Sequence, residues 1–327
     1  VYPPAPTTDT PPVPSTGTWA AGRPPGCALL PAGQDLADVL CDLSVAHEDI
    51  PELLAVRDLI VADRYLSGLL ERGVEDLFRD PDRIHGEGGT AWRSAAPGTV
   101  GRCYPVLLVI AALPLARARH RALGIPEAIS RSTFADLGRQ MAVHRRRHGT
   151  GGLLNPGWFT LHLRGEMYQL GRLQYERAPL DPRTADTARA AGVPVGPGDL
   201  CLSLHIPGYL GPMTDDACER SIVRAKEFFR RFFPHERYPV AICDSWLLDP
   251  QLAEYLPSES NILRYQRRFG TAYESTEPDD GHPVEYVFGD PALPPGTLPR
   301  RNTVERAIGD HLRAGRHWYG GHGWFAW

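Results

Sequence analysis

With 327 residues, 42% of them hydrophobic and 23% charged, the chain has the composition of a globular protein and the length for one large domain or two packed ones. Its formal net charge of −4 excludes the strongly basic surface that general nucleic-acid binders present. The six cysteines lie far apart with no C-x-x-C pair; Cys41, Cys103, Cys201 and Cys243 sit among apolar residues and read as core residues of a reducing compartment.

Residues 1–33 are rich in Pro, Thr and Gly and read as an extended arm. From 34 to about 148 the apolar spacing is helical. "QDLADVLCDLSV" repeats leucine and valine at intervals of three and four, and "PELLAVRDLIVADRYLSGLLERGVEDLF" continues the pattern. "GRCYPVLLVIAALPLARARHRAL" reads as a more buried helix bent or started at a proline, and "STFADLGRQMAVHRRR" has a serine in N-cap position. Its basic end reads as a solvated helix C-terminus, with a phosphate patch as the alternative. "GEGG" at 86–89 follows no expected strand and reads as a linker. No apolar run reaches the roughly 18 residues of a membrane span, no basic-then-apolar leader opens the sequence, and the expected location is the cytoplasm.

At "HGTGGLLNPGW" the period changes. "WFTLHLRGEMYQLGRLQYERAPL" alternates between glycines and suggests two antiparallel strands; "DLCLSLHIP", "YPVAICDSWLL", "GTAYESTE" and "HPVEYVFGD" follow as strands. Helices are expected at 214–233, near 249–256 and near 259–268. The division is therefore an arm at 1–33, a helical domain at 34–150 and an α+β domain at 151–327.

Thr214 stands as N-cap of the helix at 214–233, with Asp215 and Asp216 in its first turn. The N-terminus beside the loop "HIPGYLGPM" is either an anion site or an ordinary turn. If the flanking strands are neighbours, His205, Asp244 and Ser245 come from adjacent strand ends, where a carboxylate-oriented histidine can take a proton at physiological pH. A structural hydrogen bond for His205 and a turn cap for Asp244 are the bland alternatives. Cys243, on a buried strand, reads as inert. No H-E-x-x-H pair, G-x-S-x-G elbow, G-x-x-x-x-G-K-[ST] loop or G-x-G-x-x-G turn is present, so no metal site is expected.

The order of elements after residue 150 resembles the GNAT acyltransferase fold, in which a central strand leads through a pyrophosphate-binding loop into a helix and the next strand splays away. "LCLSLHIP", "GYLGPM", "TDDACERSIVRAKEFFRRFF" and "YPVAICDSWLL" would be those parts. "SNILRYQRRFGTAYE" is similar to the N-x-x-x-x-x-x-Y-x-x-x-G-F stretch that closes the GNAT core, with Tyr265 closer to Asn261 than is usual. "RHGTGGLLNPGWFTLHLRGEMYQLGRLQYE", "LHIPGYLGPM", "FFRRFFP" and "CDSWLLDPQLAEYLPSESNILRYQRRF" resemble a bacterial group that joins an N-terminal helical N-acyltransferase domain to a GNAT-like C-terminal domain.

The resemblance implies an α+β protein, an all-helical N-terminal domain packed on a GNAT-like mixed-sheet domain. It also implies transfer of an acyl group from coenzyme A or a carrier protein to the amine of a small-molecule acceptor. On it, His205 is the base, Asp244 its orienting partner, and Tyr265 or Ser245 the acid for the departing sulfur. Ile206, Gly208, Tyr209, Leu210, Gly211, Met213 and Thr214 would hold acyl-coenzyme A, and Glu176, Arg177, Trp246 and Asn261 the acceptor. A plain ion pair is the alternative for Glu176 and Arg177. The loop departs from the family pattern: it carries no basic residue, and Pro212 removes one amide donor. A non-catalytic acyl-thioester sensor and a hydrolase using His205 and water stay open, as does a homodimer; neither nucleic acid nor membrane is an expected partner.

Overall fold

The computed structural model describes residues 29–79, 92 and 96–327; most of the Pro-rich arm, Cys27 and the glycine run at 86–89 lie outside the described residues. The chain divides into two compact units, Val1–Tyr168 and Gln169–Trp327.

The described part of the first unit is helical: α1 (Gly33–Asp42), α2 (Ile50–Ala62), α3 (Arg64–Arg79), α4 (Gly98–Ala122), α5 (Glu127–Phe134), α6 (Asp136–His148) and α7 (Trp158–Leu163). Its centre is α4, in which every side chain from Cys103 to Leu113 is buried. The apolar stripes of α2, α3 and α7 close around it. Pro105 and Pro114 both lie inside α4, each lacking the N–H that would bond the carbonyl four residues back. Polar flanks extend the apolar letters into a helix long and apolar enough to cross a membrane, which corrects the sequence expectation; 67% of its most apolar window is buried within the protein. Ser132 lies inside α5, and α6 starts from Ala135 without a side-chain cap, so the expected serine N-cap is not used. Arg145, Arg146, Arg147 and His148 fill the last turn of α6, and Gly149 ends it at φ 74°. Cys41 is exposed, against expectation, because it lies on the outer side of α1 from buried Leu36 and Leu40.

Beyond these helices the chain builds β1 (Met167–Gln169), β2 (Gln174–Pro179), α8 (Pro182–Ala190), β3 (Leu200–His205), α9 (Asp215–Phe232), β4 (Val240–Ser245), α10 (Asn261–Gln266), β5 (Gly270–Pro278), α11 (Gly281–Phe288), α12 (Thr303–Arg313) and β6 (Tyr319–Ala326). The strands form a mixed sheet in the order β1-β2-β3-β4-β6-β5. Two expected strands are helices. Residues 158–163 follow the four-residue repeat of Phe159 and Leu163, and Gly165 at φ 69° ends that turn before β1. In "HPVEYVFGD", Pro283 and Val284 are buried and Gly289 caps the end of α11 at φ 98°. The sixth strand is instead the glycine-rich β6.

Helix α9 buries Cys218, Ser221, Ile222, Ala225, Phe228 and Phe229 on one stripe. It packs on the face of the sheet that carries Tyr175, whose ring centroid lies 6.4 Å from that of Phe229. Helix α8 covers the other face, Ala185 and Ala188 packing with Cys201, Val240 and Ile242. Ser221 ties α9 to the β1–β2 turn: its hydroxyl donates to Leu170 O at 2.7 Å and accepts from Leu173 N at 3.1 Å.

In the first unit, Gly138 of α6 donates its N–H to Leu43 O at 3.1 Å, and a Cβ there would lie 1.9 Å from Ser44 O. Backbone cannot yield as a side-chain tip can. Gly138→Ala should therefore cost about 1–3 kcal/mol or more, read as a lower midpoint in chemical denaturation; an unchanged midpoint would show that this crossing is slack.

Candidate active site

Strands β3 and β4 run parallel, but they pair only at Leu202↔Ala241 and Ser203↔Ile242. Beyond that point β3 stays bonded to β2 as far as Gln174↔His205, and β4 stays bonded to β6 as far as Ser245↔Gly321. Each strand keeps its outer neighbour and loses its inner one, so a gap opens between their C-terminal ends. Strand alternation puts Ser203, His205, Ile242 and Asp244 on the face that α8 covers further down.

His205 stands at this gap with 26% of its side chain exposed, and its Nε2 lies 2.8 Å from Glu176 Oε2. Glu176 faces Ser203 across the antiparallel pair, so it meets His205 diagonally. The sequence assigns this orienting role to Asp244, and the structure corrects it: Asp244 Oδ1 is 2.6 Å from His322 Nδ1, on the opposite side of β4 from β3. Glu176 and Arg177 point to opposite faces and do not act together. Arg177 lies over the Phe233 ring and bonds Glu236 and Tyr238 beside α9, which makes it a packing clamp rather than an acceptor contact.

The other expected residues also have definite places. Ser245 Oγ accepts from Leu247 N at 3.1 Å, capping the short turn that contains half-buried Trp246. Asn261 is the exposed first residue of α10. Tyr265 is sealed in, 2% exposed, with its hydroxyl 3.7 Å from Cys243 Sγ. Burial raises the Tyr265 phenol well above its ordinary pKa and pushes the Cys243 thiol up to about 12. Neither is a solvent-facing acid or nucleophile at neutral pH, which removes Tyr265 from the exposed role the sequence suggests.

From His205 the chain passes into the loop 206–214. Ile206, Leu210 and Thr214 are half-buried, Met213 is buried, and Gly208, Tyr209 and Gly211 are exposed. Tyr209 at φ 59° and Gly211 at φ 75° put two left-handed residues close together, a kind of turn in which successive backbone amides can form an anion-binding concavity. Thr214 caps α9, its Oγ1 accepting from Ala217 N at 3.2 Å. Loop and helix wall a cavity of about 740 Å³ whose charged lining is Arg172, Arg220 and Arg224 against Glu219 and Glu227. The basic residue missing from the loop thus arrives from the β1–β2 turn. Arg172 Nη1 donates to Pro207 O at 3.1 Å, while its buried Nε has no hydrogen-bond partner. Asp215 and Asp216, which would repel an anion, are each paired, with Arg268 and Arg220 respectively. Among the described residues no group of three or more His, Cys, Asp or Glu is placed to hold a metal.

A parallel pair that splays at its C-terminal end, followed by a loop and a long helix, defines a GNAT-like acyltransferase. Residues 167–325 match the model of the GNAT-like C-terminal domain, and residues 34–165 that of the N-acyltransferase N-terminal domain. The chain is 34% identical to an acyltransferase solved in complex with decanoyl-CoA and teicoplanin, covering 95% of this chain and 93% of that one with a TM-score of 0.80. It is 36% identical to an acyltransferase in complex with decanoyl-CoA, covering 94% and 92%, also with a TM-score of 0.80. A further acyltransferase, in complex with CoA and 10C-teicoplanin, aligns at 34% identity over 95% and 93% with a TM-score of 0.79. No curated protein matches the chain. The chain belongs to the family of N-acyltransferases that join these two domains.

Glu176 Oε2 holds the imidazole of His205 at 2.8 Å, so Glu176→Gln keeps a partner for the ring but replaces the carboxylate that orients it with a neutral amide. Acyl-transfer turnover should fall about 10- to 100-fold, part of what general base catalysis contributes. Asp244→Asn should have the smaller effect on that reaction, and the opposite ranking of the two variants in steady-state kinetics would return the orienting role to Asp244.

Proposed function

We propose that the protein transfers an acyl group from acyl-coenzyme A to an amine of a bulky small-molecule acceptor, with the thioester lying in the gap between β3 and β4. The observation that carries this is the chain path from gap to cavity: His205 ends β3 at the gap, and the loop that follows lines the cavity through Leu210, Pro212 and Thr214. In this reading the pyrophosphate meets the backbone amides of 208–211 and the N-terminus of α9, and Arg172, whose Nε has no partner, supplies the cation that the loop lacks. The neighbouring structures with decanoyl-CoA support the donor, and those with teicoplanin and 10C-teicoplanin support a glycopeptide-sized acceptor.

An amine attacks a thioester only as the free base. His205 donates from Nε2 to Glu176, which leaves Nδ1 as the basic nitrogen; Nδ1 takes the amine proton directly or through one water as the carbon–nitrogen bond forms. Backbone N–H groups at the ends of the parted strands face the developing oxyanion. The carbon–sulfur bond then breaks, and Ser245, whose Oγ lies at the end of β4, passes a proton toward the thiolate.

Two variants test this with decanoyl-CoA and a glycopeptide amine, the product being followed by mass spectrometry. His205→Ala should lower turnover by about 10²- to 10⁴-fold while leaving donor binding intact. Arg172→Ala should raise KM for the donor about 10- to 100-fold, the worth of a charge-assisted contact of about 1.5–3 kcal/mol, with kcat little changed. Full activity of the His205 variant would remove the base, and an unchanged donor KM in the Arg172 variant would move the coenzyme elsewhere.

A further inference from the structure

On the far side of the gap from His205, three side chains from adjacent strands stand in line. Asp244 on β4 lies 2.6 Å from His322 Nδ1 on β6, and His322 Nε2 lies 2.9 Å from Ser275 Oγ on β5. A carboxylate only accepts, so Nδ1 carries the hydrogen; Nε2 is then the acceptor and Ser275 the donor. This is the order of bonds that activates a serine hydroxyl as a nucleophile.

The surroundings hold that line in place. The Tyr273 ring stacks on His322 with centroids 4.0 Å apart and planes 20° from parallel, and the Arg183 guanidinium lies 3.7 Å from the centre of the Tyr273 ring. The β5–β6 register slips between Glu274↔Gly321 and Pro278↔Tyr319, so Ser275, Thr276 and Glu277 face Gly320 alone. Such a bulge re-aims side chains and takes backbone amides out of the regular ladder. Opposite the hydroxyl stands Gly320, where even a Cβ would lie 3.6 Å from Ser275 Oγ and 3.7 Å from His322 Nε2. Glycine there leaves the approach to both atoms open. His322 is 19% exposed, and Ser275 is half-buried and reachable from solvent.

We infer that Ser275, His322 and Asp244 form a second reactive site, a hydrolase for activated acyl esters and thioesters that is separate from amine acylation at His205. Ser275 Oγ attacks the acyl carbon as its proton passes to His322 Nε2. The bond from that carbon to the ester oxygen or thioester sulfur breaks, and the leaving group takes the proton from His322. Water then attacks the acyl-serine, its proton going to Nε2 and on to Oγ, which releases the free acid and restores the serine. Asp244 holds the imidazole and faces its positive charge throughout. The oxyanion would be met by backbone amides that the bulge takes out of the ladder, an arrangement suited to substrates with a good leaving group.

A fluorophosphonate probe, with peptide mapping of the labelled full-length chain, tests the site directly. One adduct is expected, on Ser275. Labelling and hydrolysis of a p-nitrophenyl ester should both fall at least about 100-fold in Ser275→Ala and in His322→Ala. His205→Ala should keep both while losing amine acylation, so the two sites fail independently. Near-UV circular dichroism of each variant shows that packing survives. Absence of an adduct, an adduct on another residue, or ester hydrolysis that persists in Ser275→Ala and disappears in His205→Ala would overturn the assignment.

Discussion

The site depends on a pairing that stops. Two register positions join β3 to β4, and then each strand turns its remaining bonds to its other neighbour. A parallel pair that separates in the middle of a sheet would ordinarily strand its inward N–H and C=O groups, at a cost of about 1–3 kcal/mol for each one buried without a partner. The sheet tolerates this because the groups face a gap that water, or a thioester and an attacking amine, can fill. Without the separation the two strand ends would zip together, and His205 would face a closed ladder.

Electrostatics follow from where the backbone goes next. Helix α9 begins after a nine-residue loop that leaves the end of β3, and it packs on the sheet that holds the gap, with its positive terminus at the end of that loop. Acidic residues favour that terminus and would exclude an anion from it. The fold resolves the conflict by supplying cations from elsewhere in the chain: Arg268 from the end of α10 to Asp215 and Glu219, and Arg220 from one turn along α9 to Asp216. What is left over points the other way, since Arg172 has a buried Nε that no protein acceptor satisfies. Burial lowers the pKa of that guanidinium through desolvation, the largest influence on it. A group desolvated in this way gains more from an arriving phosphate than an exposed one would.

How much of this was legible beforehand follows the range of each interaction. The helix beginning at Thr214 and the stripe through Ile222, Ala225 and Phe229 are local, and they read directly from spacing. Trp158–Leu163 misled because six residues suit a strand or one and a half helical turns, and only the glycine at 165 settles which. Strand β6 was missed because its glycines lower strand propensity; Gly321 and Gly323 are required by Leu248 and Phe269, whose atoms leave no room for a Cβ. Arg172 and Glu176 were the hardest to place. Arg172 reaches its site from a turn 35 residues before Pro207, and Glu176 meets His205 only through strand register. Both precede the loop in the chain, and no local spacing links them to it.

The same outward logic governs the side chains at the gap. Asp244 is the acid that the parallel register sets beside His205, and it is the natural first choice as its partner. Had it taken that role, a carboxylate–imidazole bond would span the opening and draw the two strand ends together. Instead His205 bonds Glu176 on β2 and Asp244 bonds His322 on β6, each away from the gap. Side chains therefore repeat what the backbone does: each of these two bonds is made to the outer neighbour. A rim satisfied in this way has no reason to close, and it leaves a histidine on either side of the gap with its own carboxylate, able to handle protons independently of the other.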